Sequence, residues 1–314
     1  MSDKKVIAVT GATGAQGGGL ARAVLEDASG DFAVRALTRN PDSDAARALA
    51  DRGAEVVRAD LDEIDTLKAA FDGCHGAYCV TNYWEIFSPE KETRQARNLA
   101  EAAAAAGLAH VVWSTLEDTR QWIPLDDDRM PTLMGEYKVP HFDAKGQADR
   151  FFEDVPTTYL LTTAYWDNFI HFGWEPQRGE DGTLNLVLPM GDRPLPGLAV
   201  EDIGRCALGI FREGSSAVGE RIGIAGEHLT GAEMAEALSA LLGEPVTHVS
   251  PPFDVYRGFG FPGADDIGNM FQFYHDFNDV FTASRSVERA RALNPQLQDF
   301  GTWLSRNGDR IPRH

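Results

Sequence analysis

This sequence has few of the residues from which a covalent or metal-bound scaffold is built. Of its 314 residues only three are cysteine, Cys74, Cys79 and Cys206, and no Cys-x-x-Cys pair occurs. An odd count without that spacing argues against a disulfide framework and against a zinc site. A reducing, cytoplasmic setting fits such usage. The histidines form no His-x-x-x-His pair, so no metal ligation is expected. Long hydrophobic runs are missing as well. The opening "MSDKK" leads into only four consecutive apolar residues, Val6 to Val9. A secretory signal needs roughly 7–15, and no stretch approaches the ~18 residues of a membrane span. Positive charge is also scarce: Lys plus Arg is 29 against 48 Asp plus Glu, a net charge of −19. So acidic a chain repels phosphate backbones and anionic lipid at long range, and neither nucleic acid nor membrane is expected as a partner. A local basic pocket for one small anion remains compatible with it.

What is present belongs to a soluble globular protein, 43% hydrophobic and 25% charged, long enough to bury a sizeable core in one large domain or two. The first half alternates short apolar runs with helical patterns. "KVIAVT", "AVRALTR", "AEVVRAD", "GAYCVT" and "AHVVWST" read as strands, the first four each followed by a helix. That alternation predicts right-handed βαβ units and a doubly wound parallel sheet of the Rossmann kind. In the long helix after the fourth strand, Ser88 is the expected cap, Pro89 suits the first position and Gly107 is the expected stop. Residues 116–140 read as an irregular surface loop, "HFDAKGQADRFFED" as a helix and "TTYLLTTA" as a sixth strand. Thr230 and Glu233 make a capping-box pattern. The expected division is a Rossmann domain over residues 1–164, with 200–225 returning to it. A smaller C-terminal α/β domain would comprise 165–199 and 226–314 and close over the first.

The first strand runs into "TGATGAQGG", where Gly11, Gly14 and Gly17 stand three apart. In the order strand, glycine turn, helix, the first glycine permits a tight turn. The second lets backbone approach a pyrophosphate, and the third lets helix and strand pack closely. The helix start aims free N–H groups and a positive dipole end at the phosphates. A bound dinucleotide is the expected ligand; the alternative is a glycine turn that holds nothing. An NAD site usually places an acid about 20 residues past the motif. Here the second strand ends "LTRNP", and Arg39 stands in that place. Its charge and fork of donors suit a 2′-phosphate and favour NADP(H), against the plainer reading of an exposed strand-end arginine. Asp60 and Leu61 after the third strand fall where an adenine would lie, and Thr81 and Asn82 after the fourth fall over the middle of the dinucleotide.

Together "GATGAQGG", "LTRNP", "GAEVVRAD", "VTNYW", "HFDAKG" and "GFPGADDIGNMFQFY" resemble the NmrA-like family of atypical short-chain dehydrogenases. Within that family they are similar to the HSCARG type, whose members bind NADPH and act as redox sensors. The resemblance runs from Val6 to Tyr274 and implies an NADP(H) site. Gly11, Ala12, Thr13, Gly14, Ala15, Gln16 and Gly17 would hold the pyrophosphate, Arg39 the 2′-phosphate, and Asp60 and Leu61 the adenine. Thr81, Asn82 and Tyr83 would follow the cofactor toward the nicotinamide, and Arg94 would stand near the phosphates. Lys145 would bond the nicotinamide ribose. Tyr165, Trp166, Asp167 and Asn168 would border the nicotinamide.

Ordinary short-chain dehydrogenases pair a Tyr with a Lys four residues on, so that the phenol can pass a proton to the substrate. Here the residue four before Lys145 is His141, and Tyr137 is eight before it. Eight helical residues span about 12 Å, too far to replace a Tyr one turn away, and Pro140 interrupts the segment. Ser114 and Thr115 end the fifth strand, so the serine element of such sites survives. His141 can serve as an acid near neutral pH. Without an identifiable carboxylate partner, the plainer reading is a histidine at the start of a helix beside a mobile loop. Two functions follow. One is a redox sensor whose loop and small domain respond to NADPH and are read by a protein partner. The other is an NADPH-dependent reductase of a small carbonyl, imine or quinone, working in a cleft between Tyr83, His141, Tyr165 and Trp166. The missing Tyr and the HSCARG likeness favour the sensor. A homodimer is left open.

Overall fold

The computed structural model describes residues 4–313. The first half runs β1 (Lys5–Val9), α1 (Ala15–Glu26), β2 (Phe32–Thr38), α2 (Asp44–Asp51), β3 (Glu55–Arg58), α3 (Ile64–Phe71), β4 (Gly76–Cys79), α4 (Tyr83–Ile86), α5 (Pro89–Ala106), β5 (His110–Thr115), α6 (Pro140–Ala148) and β6 (Thr157–Leu161). The second half continues β7 (Ala164–Tyr165), α7 (Asn168–His171), β8 (Gln177–Arg178), β9 (Leu184–Val187), β10 (Leu195–Leu198), α8 (Val200–Glu213), β11 (Arg221–Gly223), β12 (Glu227–Leu229), α9 (Gly231–Leu242) and β13 (Val246–Val249). It ends with α10 (Phe253–Arg257), α11 (Ala264–Asp276), α12 (Asn278–Ala283), α13 (Val287–Leu293) and α14 (Phe300–Asn307).

Seven strands form one parallel sheet in the order β11-β6-β5-β4-β1-β2-β3. The order reverses direction between β1 and β4, which opens a crevice at the carboxyl ends of the strands. Parallel strands need cover on both faces. One face is packed by α1 and α8 around Leu20, Val24, Ile203 and Ile210, the other by α3 and α5 around Leu67, Phe71, Leu99 and Ala103. Helix signals act as their chemistry requires. Ser88 accepts from the Lys91 N–H, and Gly107 ends α5 at φ +61°. The Thr230–Glu233 capping box is complete.

Beyond β6 two small three-stranded sheets, β12-β10-β7 and β13-β9-β8, carry a separate aromatic core. It gathers Trp166, Phe169, Phe271, Phe273, Tyr274, Phe300 and Trp303. Residues 116–139 contain one turn of 3₁₀ helix at Thr119–Gln121 and a Leu133–Tyr137 bridge. This segment is not the solvated loop that its polar, proline-containing sequence suggests. Ile123, Met130, Tyr137, Lys138 and Val139 are buried in it.

Candidate functional site

Because the sheet is parallel, the segments after β1, β2, β3, β4 and β5 all emerge at one edge. After β1, Gly11 adopts φ +59° and the Gly14 N–H donates to its carbonyl at 2.8 Å. A Cβ on Gly17 would lie 2.3 Å from the Thr10 carbonyl and 2.6 Å from that of Gly11. No side chain fits there, which is the close helix-to-strand contact expected of the third glycine. Ala12 is buried, while Thr13, Gly14 and Ala15 are exposed along the rim. Gln16 turns inward instead. Its Nε2 donates to the Tyr165 hydroxyl at 2.7 Å, and its Oε1 accepts from Ser114 Oγ at 2.7 Å and from the Tyr78 hydroxyl at 2.6 Å. One side chain of the glycine turn thus fixes hydroxyls from β4, β5 and β7.

The groups at the strand ends are engaged by other residues of the chain. Arg39 Nη2 donates to Glu85 Oε1 at 2.5 Å. The Asp60 carboxylate accepts from the Asp62 N–H at 2.9 Å, and the Leu61 carbonyl accepts from Asn98 at 2.8 Å. Asp62 faces two cations of α5, Lys91 at 3.1 Å and Arg94 at 3.6 Å.

Inside this rim lies a buried polar cluster. Lys145 on α6 donates from Nζ to Thr81 Oγ1 at 2.8 Å, and to the carbonyls of Thr81 and Ser114 at 3.3 and 3.4 Å. The fully buried Glu92 carboxylate stands 3.3 Å from Nζ and accepts from the Thr81 hydroxyl at 2.7 Å. Asn82 is exposed and Tyr83 buried. Two buried atoms of the cluster, Tyr83 Oη and Glu92 Oε2, have no hydrogen-bond partner among the described residues. Burial pushes the Tyr83 phenol up, and the Asp266 and Glu92 carboxylates add to it. The phenol therefore stays protonated, a donor rather than a base.

The structure corrects the reading of His141 as a histidine without a carboxylate partner. Its Nδ1 lies 2.7 Å from Asp266 Oδ1, and its backbone N–H donates to Oδ2 of the same carboxylate at 3.3 Å. Both side chains are buried. The imidazole packs beside Trp84 at 4.7 Å and Tyr83 at 5.9 Å between ring centroids. The residues just before it, Lys138, Val139 and Pro140, are buried. Asp143 accepts from the N–H groups of Thr119, Lys138 and Val139 and from the Thr119 hydroxyl. Asn269 donates to the carbonyls of Pro131 and Lys138, and Gln272 to that of Arg129. The "GADDIGNMFQ" stretch of α11 is thereby explained: Asp266 holds His141, and Asn269 and Gln272 hold the segment leading to it. Tyr137 precedes α6 and pairs with Leu133, away from any helical register with Lys145.

Of the stretch Tyr165–Asn168, only Tyr165 joins the site network. Trp166 does not border the crevice as expected. Its indole is buried against Gly197, Phe300 and Trp303 in the second core, because the neighbouring glycine leaves room for it there. Asp167 accepts from the Val200 N–H at the start of α8, and Asn168 opens α7. Sequence reasoning missed Asp266 and Glu92. Glu92 carries no local signal, being one acid in a charged helix start. Asp266 lies in the most specific motif of the chain, but 125 residues from its partner.

The sequence profile of the NmrA-like family matches residues 3–304. Among curated proteins, the NmrA-like family domain-containing oxidoreductase FrzB of Cladobotryum sp. is 30% identical over 286 residues, covering 85% of this chain and 83% of its own. The oxidoreductase notA of Aspergillus sp. (strain MF297-2) is 29% identical, covering 89% and 85%. Among solved structures, NmrA, a negative transcriptional regulator, in complex with NADP matches with a TM-score of 0.78 at 24% identity over 96% of this chain and 94% of that one. The triphenylmethane reductase of Citrobacter sp. complexed with NADP(H) matches with a TM-score of 0.74 at 19% identity, over 96% and 99%. At these identities the solved structures speak to the fold.

Proposed function

The chain belongs to the NmrA-like family, and from that membership we propose that it binds NADP(H) and reduces a small carbonyl, imine or quinone. The observation that carries the proposal is the buried His141–Asp266 pair one helical turn before Lys145. The residues of the crevice fit a dinucleotide. The turn Gly11–Gly17 presents exposed backbone at a helix start, and the unpartnered Tyr83 Oη and Glu92 Oε2 beside Lys145 leave polar capacity to be met. Gly11 to Gly17 would hold the pyrophosphate, Arg39 the 2′-phosphate and Lys145 the nicotinamide ribose. When bound, the reduced cofactor supplies the hydride.

The chain's own residues then manage the proton and the geometry. Residues four apart on a helix share a face, so His141 occupies the place relative to Lys145 that a tyrosine holds in ordinary dehydrogenases. Asp266 bonds Nδ1 and orients the ring. Nε2 has no hydrogen-bond partner among the described residues and is the atom from which a proton would pass to the reduced substrate. Gln16 fixes the Ser114 and Tyr165 hydroxyls, and Glu92 with Thr81 fixes the Lys145 ammonium. The aromatic rings of Tyr83 and Trp84 keep the imidazole in apolar surroundings.

The sensor reading has one observation in its favour: the 116–139 segment and α11 are bonded to each other and to the site. A change at the nucleotide would reach surfaces that a protein partner could read. A panel of quinones, carbonyls and imines with NADPH separates the two. Turnover that falls at least about 100-fold in His141→Ala, with NADPH binding kept, supports the reductase. NADPH binding with no turnover on the whole panel overturns it in favour of the sensor.

A further inference from the structure

The arginine placed to read a 2′-phosphate is already engaged. Arg39 Nη2 donates to Glu85 Oε1, the one hydrogen bond its guanidinium makes among the described residues. The surroundings of Arg39 add more negative charge, from Asp60 and Asp62. The pair is open to solvent, with side chains 64% and 47% exposed, so a ligand can reach it. Glu85 is held in place by its element. It lies on the one-turn helix α4, which Tyr83 anchors in the buried cluster and which ends at Phe87 in the left-handed region. Trp84 fixes the other side, where a Cβ on Gly263 would stand 2.9 Å from its ring.

We propose that Glu85 is a specificity-determining residue for the nucleotide, because its carboxylate occupies the Arg39 fork that a 2′-phosphate would take. This rests on the reading that the chain binds NADP(H). A guanidinium fork accepts a carboxylate or a phosphate with the same donors, so the 2′-phosphate of NADP(H) must displace Glu85 and then lie beside its charge. NAD(H), with a hydroxyl at that position, leaves the Arg39–Glu85 pair intact. Glu85 therefore narrows the preference for NADP(H) that Arg39 creates, and the acidic end of α4 keeps NAD(H) competitive.

The test is a fluorescence titration of the full chain with NADPH and with NADH, in the wild type, Glu85→Gln and Arg39→Ala. Glu85→Gln is expected to tighten NADPH on the order of fivefold, the scale of an exposed ion pair, and to change NADH less than about twofold. Arg39→Ala should weaken NADPH and leave NADH unchanged. If Glu85→Gln binds NADPH no tighter, or tightens both nucleotides equally, Glu85 does not determine specificity, while an Arg39→Ala loss specific to NADPH shows the nucleotide reading still standing. If the wild type binds neither nucleotide, the nucleotide reading itself fails and this inference with it. Thermal unfolding of both variants confirms that each remains folded.

Discussion

Gly17 and Gly18 are adjacent, and the structure treats them differently. A Cβ on Gly17 would meet the backbone carbonyl of Thr10 at 2.3 Å, whereas one on Gly18 would meet Ala12 O and the flexible Arg22 guanidinium at 3.1 Å. Gly17→Ala forces helix and strand apart and should destabilise by roughly 1–3 kcal/mol. Gly18→Ala gains up to about 1 kcal/mol of helix propensity against a mild contact and should lie within about 1 kcal/mol of wild type. Urea unfolding of the two variants checks this, and equal midpoints would refute it. The role of Gly17 was legible because its partner is seven residues away at the end of the same βα unit. The role of Gly19 was not. It faces Gly204 of α8, where a Cβ on Gly204 would come 2.1 Å from the Gly19 backbone. Only the tertiary fold brings those two helices together.

At the scale of elements, the strands and helices of the first half follow from apolar runs, caps and glycine stops, which are local signals. The 116–139 segment does not, since its polar residues read as solvated. Their donors are in fact turned inward onto one carboxylate, Asp143, which accepts from Thr119 N–H, Thr119 Oγ1, Lys138 N–H and Val139 N–H at 2.6–3.1 Å. Removing it strands buried donors, each worth about 1–3 kcal/mol. Asp143→Ala should therefore cost about 4 kcal/mol or more overall. Hydrogen exchange gives the sharper test, because the lost protection should concentrate at residues 116–140 and spare the amides of β1 and β4. Uniform loss across the sheet would show that the segment is not held independently by Asp143.

At the scale of the whole molecule, the middle of the chain is joined to its C-terminal helices by polar pairs that no local pattern announces. His141 and Asp266 are one such junction; Glu117 and Arg285 are another. Arg285 is fully buried. It grips Glu117 with two donors at 2.6 and 2.9 Å, gives Nε to the Thr162 carbonyl at 2.7 Å, and lies 4.5 Å over the Phe281 ring. The C-terminal helices are thus tied to the segment that follows β5. Burial pushes the Glu117 carboxyl up, but the Arg285 charge and its hydrogen bonds pull it down further, so its pKa lies below the usual 4.5. A carboxyl depressed in the fold contributes stability that is present above its unfolded pKa and is lost as pH falls through the folded value. The wild type should therefore lose this contribution on acidification below about pH 4.3. Arg285→Met leaves the carboxylate buried without its partner, and should cost about 3–5 kcal/mol near neutrality. It also reverses the sign. Burial, the largest influence on this carboxyl, is then opposed only by its own backbone hydrogen bond and the Arg221 charge. The folded pKa should therefore rise above the unfolded one, and the variant should regain stability as pH falls through that raised value. Arg285→Met combined with Glu117→Gln removes the charge as well as its partner, so it should recover part of the loss and show neither dependence. Urea midpoints of the three proteins between about pH 2.5 and 7 decide the matter: an Arg285→Met midpoint that falls with acid as the wild type's does would mean that Glu117 is not the group that senses its partner.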